Sequence, residues 1–226
     1  MTAEKQPISI PRRRGRPPAD PAAQAATAQE ARNAICSAAL TLFQAGGVDA
    51  VNMRDIGKQL GTSPMMAYRY FPSKDHLLME LRIRAFSRFT QSLARWRRRA
   101  RNPRDALGLV CGAYMVFAYA NPHDYRLMFD MWAFESPETM KAEFGEKVRR
   151  QSASWLEIQA AIRDYLGGDA GTGAGDLGEA TDIVWGSLHG MCSLHLARKL
   201  VFGRSLRQLA RPTIAAILAG VSARTT

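Results

Sequence analysis

The sequence predicts an all-α protein, with an N-terminal helix-turn-helix domain of three helices followed by a larger helical domain. Three observations predict it. Apolar residues recur at helical spacing, as in Ile35, Ala39, Leu42 and Phe43, and no comparable period-2 run occurs. Two short helices, each with start and stop signals, flank a three-residue turn, Gly61-Thr62-Ser63. Charge is divided unevenly: residues 1–101 hold 18 Lys+Arg against 7 Asp+Glu, whereas residues 102–226 hold 13 of each. A basic half joined to an electroneutral half suits a polyanion-binding module attached to a unit that binds something else.

The elements follow in order. Residues 1–28 are rich in Pro, Ala and Arg, lack aromatic residues and show no period, so a basic arm that is disordered until a partner orders it is expected. Residues 29–78 then form the helix-turn-helix domain and 79–226 the second domain. The first helix ends at Gly46-Gly47. Asn52 caps the next, Val51 and Ile56 are placed for a hydrophobic staple, and Gly61 closes it after Leu60. Ser63 is the N-cap of the following helix and Pro64 its first residue, where the missing N–H costs nothing.

From Ser73 a long helix is written by Leu77, Leu81, Phe89, Leu93 and Trp96, finishing in Arg97, Arg98, Arg99 and Arg101 before Asn102-Pro103. Further helices are expected over 104–120, 124–134, 137–166, 178–201 and 205–221, with a kink or break at Pro212 and a flexible loop over 167–178.

Several classes are excluded. The longest stretch without Asp, Glu, Lys or Arg, residues 106–123, closes on Asn121, Pro122 and His123 and falls short of the ~20 apolar residues of a spanning helix. The N-terminal residues lack the apolar run of a secretory signal. Cys36, Cys111 and Cys192 lie far apart in apolar surroundings, which fits buried inert thiols and no disulfide framework. A soluble cytoplasmic protein working at the nucleoid is expected, with no membrane partner.

In a helix-turn-helix the second helix enters the major groove. If Ala67 and Phe71 pack inward on Ile56, Leu60 and Phe43, then Met65 and Arg69 lie opposite, with Met66 and Tyr68 on the flanks. Arg69 can donate two hydrogen bonds to guanine or phosphate, and the methionines make apolar contacts such as those with thymine methyls. A set this poor in polar readers assigns much of the specificity to phosphate contacts and DNA shape. Arg54 and Lys74 lie in first helical turns, where free N–H groups also suit phosphates.

Residues 50–78, AVNMRDIGKQLGTSPMMAYRYFPSKDHLL, resemble the DNA-binding domain of the TetR (tetracycline repressor) family of bacterial transcription regulators. The Arg-Asp-Ile, Gly-x-Ser, Tyr-x-x-Phe and Ser-Lys-Asp elements carry the likeness. It implies that Asn52, Thr62, Ser63, Tyr68, Tyr70 and Lys74 contact phosphates or bases. It also implies a homodimer on a palindromic double-stranded DNA operator, most simply a repressor, closed by a four-helix bundle from the last two long helices. Leu188, Leu196, Leu200, Leu209, Ile214, Ile217 and Leu218 are the seam candidates. Asn52, Gly57, Thr62 and Met66-Ala67 depart from the commoner family residues.

Arg12-Arg13-Arg14-Gly15-Arg16-Pro17-Pro18 resembles an AT-hook, in which glycine lets the backbone sink into a narrow minor groove and Arg14 and Arg16 reach its negative potential. A generic polybasic tail, or a non-specific architectural DNA-binding protein built around it, is the alternative. The two differ in the ratio of operator to random-DNA affinity.

The electroneutral half is crowded with aromatic and sulfur side chains. Tyr114, Phe117, Tyr125, Met128, Phe129, Trp132, Trp155, Trp185 and His189 are the candidates for a small apolar effector, since pockets between helices pair apolar walls with a few polar groups. The stretch around Trp185, His189 and Gly190 resembles the WHG effector domain found behind some TetR headpieces. Gly173-Ala174-Gly175-Asp176-Leu177-Gly178 fits G-x-G-x-x-G but lacks the preceding strand of a dinucleotide site. His189, Cys192 and His195 fan too widely around one helix for zinc. No nucleophile-and-base arrangement stands out, so neither a cofactor nor an enzyme activity is expected.

Overall fold

Helices form where the sequence caps them. The computed structural model describes residues 21–129, 145, 153–167, 174–200 and 203–223. Helix α1 runs Pro21–Ala50, its backbone leaving helical geometry at Gly46 and Gly47 as expected. It begins inside the segment assigned to the arm, because 21–28 is rich in alanine, which favours helix without adding an apolar stripe. Helices α2 (Met53–Gln59) and α3 (Pro64–Tyr70) form the helix-turn-helix.

Asn52 caps α2, its Oδ1 accepting from the Asp55 N–H at 2.8 Å. Gly61 turns the chain at φ +65°, a conformation glycine adopts without a Cβ clash. Gly57 permits the closest approach of α2 to the turn, since a Cβ there would come within 3.0 Å of the Pro64 nitrogen.

Helix α4 (Lys74–Arg97) starts at Ser73, whose Oγ accepts from the His76 N–H, and α5 (Pro103–Ala120) starts at Asn102 in the same way. Helices α6 (Pro122–Phe129), α7 (Ala153–Tyr165), α8 (Ala174–Leu196) and α9 (Leu206–Ser222) complete the described elements. Ser205 and Gln208 form a reciprocal capping box at the start of α9. Helix α5 packs against α4, α6, α7, α8 and α9, while α1 joins the N-terminal helices to α4. One apolar core, including Phe43, Leu77, Phe89, Tyr114, Ile158 and Leu188, runs through both parts of the chain.

Two arginines of α4 tie it to its neighbours through ion pairs. Arg88 donates to both carboxylate oxygens of Asp124 on α6, at 2.8 and 2.7 Å. Arg97 reaches Glu157 and Asp164 on α7.

Some boundaries differ from the sequence reading. Helix α8 begins at Ala174, inside the expected loop, and ends at Leu196, leaving Leu200 in non-helical chain. Of the kink or break expected at Pro212, the break is not found: helix α9 continues through it. Of the helix expected over 137–166 only its last part, α7, lies among the described residues apart from residue 145. Arg14, Arg16 and Trp132 lie outside the described residues. No described helix is long and apolar enough to cross a membrane. The three cysteines are buried, and burial pushes the Cys36 thiol up to about 11 and those of Cys111 and Cys192 up to about 12.

Candidate nucleic-acid interface and effector core

Helix α3 is anchored by one face. Ala67 and Phe71 are each 1% exposed and join the core with Ile56 and Phe43, whereas Met65 is 72% and Tyr68 47% exposed. Arg69 is exposed beside them, and Met66 and Tyr70 are half-buried against the core. The wheel drawn from the sequence therefore orients α3 correctly. Arg32, which sequence reasoning missed, fixes the far end of this helix: its Nη1 donates to the Tyr70 carbonyl at 3.0 Å and its guanidinium lies 4.6 Å over the Phe71 ring. The signal was its place three residues before Ile35, on the face of α1 that meets the domain core.

The capping residues divide into two kinds. Asn52 is engaged on both sides of its amide, because Nδ2 also donates to Asp55 Oδ2 at 2.8 Å. Ser63 occupies the N-cap position of α3, but its hydroxyl makes no capping bond; its backbone, extended at ψ 153°, performs the turn. Thr62, Ser63 and Arg54 are exposed and Lys74 is half-buried at the first turn of α4. Polar or cationic side chains thus stand at the start of each helix: Arg54 in the first turn of α2, Thr62 and Ser63 immediately before α3, and Lys74 in the first turn of α4.

Behind α4 lies an aromatic box. Phe89 stands with its ring centroid 5.0 Å from Tyr114 and 5.0 Å from Phe117. Trp185 packs 5.5 Å from Tyr114 and 5.9 Å from Phe129, and Phe129 lies 4.6 Å from His189. A polar chain threads this box. The Tyr114 and Tyr125 hydroxyls are 3.3 Å apart, Tyr125 Oη lies 2.8 Å from His189 Nδ1, and Ser193 Oγ lies 3.2 Å from His189 Nε2. Burial raises both tyrosine hydroxyls above their ordinary range and lowers His189 below its own. The box is therefore polar and uncharged at neutral pH.

The structure brings Tyr114, Phe117, Tyr125, Phe129, Trp185 and His189 together, adds Phe89 and Ser193, and buries Met128 in the same core. Trp155 is a correction. Half-buried on α7, it makes none of these ring contacts; its Nε1 instead donates to Asp182 Oδ1 on α8 at 2.8 Å. Among the described residues no group of His, Cys, Asp and Glu is placed to hold a metal ion.

The seam candidates also divide. Leu188 is fully buried and Ile217 and Leu218 nearly so within the single chain. Leu196 and Ile214 pack against the same core, while Leu200 and Leu209 are half-buried. Leu188 is thus a core residue and cannot line a seam, because α8 uses that face against its own chain. The outward faces of α8 and α9 carry Ile183, Gly186, Ser187, Leu194, Ala215, Ala216, Ala219 and Gly220. Between them runs a groove of about 590 Å³ floored by Val184, Ile217 and Val221.

Residues 35–81 match the family described as bacterial regulatory proteins of the tetR family, and residues 107–217 match the tetracyclin repressor-like C-terminal domain. The chain belongs to the TetR family. Over 60 residues it is 42% identical to the HTH-type transcriptional repressor KstR of Rhodococcus jostii, covering 26% of this chain and 28% of that protein. Over 94 residues it is 32% identical to KstR of Mycolicibacterium smegmatis, covering 42% of this chain and 46% of the relative. The chain thus matches less than half the length of either.

A TetR-family regulatory protein from Rhodococcus RHA1 shares the fold at a TM-score of 0.63 and 18% identity, with 85% of this chain and 97% of that one covered. The TetR-family match places the whole helix-turn-helix in its first segment and the aromatic box largely in its second. Phe89 and the distal half of α4 fall between the two.

Proposed function

We propose that this TetR-family protein is a ligand-responsive transcriptional regulator, a repressor, that binds a palindromic operator as a homodimer and is released by a small apolar effector. The observation that carries this reading is the anchored α3: its inward face is locked by Ala67 and Phe71, so Met65, Tyr68 and Arg69 are presented in fixed geometry rather than as a mobile basic surface. Two such helices read two half-sites only if a dimer holds them about 34–36 Å apart. The exposed small residues of α8 and α9 offer the face for that dimer. The aromatic box, neutral and bounded by α4, α5, α6 and α8, suits an apolar ligand with one or two hydrogen-bonding groups. Entry between those helices would favour a different tilt of α4, and a coupling of ~1–3 kcal/mol would change operator affinity about 5- to 150-fold.

The test is selection of bound fragments from genomic DNA, followed by fluorescence anisotropy on the preferred fragment. Tyr68→Ala and Arg69→Ala should each lower affinity at least about tenfold, the scale of one lost base or phosphate contact, while leaving the circular dichroism spectrum unchanged. Unchanged affinity in both variants would overturn the assigned face. Equal affinity for selected and random DNA would favour the architectural alternative.

A further inference from the structure

The proposed function leaves one cluster of charge unused. Arg95, Arg97, Arg98, Arg99 and Arg101 contribute to the basic excess of the first 101 residues, yet α4 is 24 residues long. They stand about 35 Å along its axis from Lys74, at the end opposite the helix-turn-helix. They also fall outside both family matches, which stop at residue 81 and resume at residue 107.

Arg97 is occupied by Glu157 and Asp164. Arg98, Arg99, Arg101 and Arg104 make no ion pair with a carboxylate among the described residues. Arg99, Arg101 and Arg104 line a groove of about 740 Å³ at the α4–α5 corner, with Trp96 and Leu218 among its walls. The Arg99 guanidinium lies 5.5 Å over the Trp96 ring, and Arg104 Nη1 donates to Tyr165 Oη at 3.2 Å. Asp105 also lines the groove, and one of its oxygens accepts the Arg101 backbone N–H at 3.1 Å.

Guanidinium groups converging on a concavity raise the local potential for anions, and their planar forks match phosphate oxygens. A guanidinium stacked on an indole also presents a flat cationic surface on which a heterocyclic ring can lie. We propose that this corner binds a nucleoside diphosphate or a ligand of that chemistry, with phosphates on Arg101 and Arg104 and the planar base on the Arg99–Trp96 pair. The competing account, solvated arginines that merely offset the negative end of α4, predicts no such ligand.

Isothermal titration of the full chain with ADP and with inorganic pyrophosphate decides between them. ADP should bind with a Kd below about 1 mM, and pyrophosphate more weakly. The double variant Arg101→Ala/Arg104→Ala should weaken ADP at least about tenfold, as expected for lost charge-assisted hydrogen bonds. Arg99→Lys keeps the charge but loses the plane, so it should weaken ADP while leaving pyrophosphate unchanged. Arg69→Ala, at the other end of the molecule, should leave ADP binding as it is. All four arginines are exposed, so these variants fold. Absence of heat with both ligands up to about 1 mM would overturn the proposal. So would ADP binding that is indifferent to the double variant, or that disappears in Arg69→Ala.

Discussion

A neutral imidazole has one N–H and one lone pair, so His189, flanked by the Tyr125 and Ser193 hydroxyls, donates to one and accepts from the other. Protonation would remove the acceptor and place a charge in the aromatic box. Burial accordingly lowers His189 from its ordinary value of 6.5. With the folded pKa below the unfolded one, the unfolded chain takes up the proton first as pH falls. The stability that His189 contributes is therefore complete above its unfolded pKa and is lost as pH falls from that value through the folded pKa. Melting temperatures measured from about pH 7.5 to about pH 5 should fall more steeply for the wild type than for His189→Gln, and parallel curves would contradict the assignment. The residues of this box were legible in the sequence as a group, because aromatic side chains crowd 114–129 and 185–189. Phe89 was legible only as part of a stripe. Nothing in a linear sequence says that a residue on α4 stands at the centre of a cluster drawn from α5, α6 and α8.

At the scale of an element, periodicity reveals which face is buried more reliably than where a helix stops. Gly46, Gly61 and the caps at Asn52, Ser73, Asn102 and Ser205 are chemical signals, and the boundaries they mark are observed. Helix α1 starts earlier than expected and α8 at Ala174, where alanine, glycine and glutamine carry no pattern. Pro212 shows the opposite error, a strong breaker that tertiary packing overrides. It lies exposed in an unbroken α9, whose Leu206, Ile217, Leu218 and Val221 are buried against the core. The helix still loses the hydrogen bond that residue 212 would give to the Gln208 carbonyl. Pro212→Ala restores it and improves helix propensity, offset in part by greater freedom of the unfolded chain. A gain of about 1–2 kcal/mol is expected, or roughly 2–8 °C in Tm for a chain of this size. A lower Tm would mean that the ring itself packs against a neighbour.

At the scale of the whole molecule, the proposed function assigns the engagement of DNA to the arm and the dimer face. Arg12, Arg13, Arg14 and Arg16 can each displace counterions, and every phosphate contact contributes about 0.9 to the salt dependence of log K. Removing residues 1–20 should therefore flatten that slope by up to about 4, and an unchanged slope would mean that the arm does not touch the duplex. The dimer face is the subtler case. Sequence patterning selected the large apolar residues of α8 and α9 for the seam, yet a helix between its own core and a partner has two apolar faces. Composition alone cannot rank them. The structure turns Leu188, Ile217 and Leu218 inward and leaves Gly186, Ser187, Ala215, Ala216, Ala219 and Gly220 outside. Small residues spaced four apart, Gly186 with Gly190, Ala215 with Ala219 and Ala216 with Gly220, keep one side of each helix thin enough for another helix to approach closely. Ile183 and Leu194, at 48% and 43% exposure, stand as knobs on the rim. If two copies close this face, Ala216→Glu places a carboxylate in the α8–α9 groove, opposite its symmetry mate's equivalent surface. The variant should sediment as a monomer with unchanged helicity, and its operator affinity should fall at least about a hundredfold, because bivalent attachment is lost while each recognition helix remains intact. A dimeric variant, or a monomeric wild type at about 10 μM, would show that the face serves something other than a second copy of this chain.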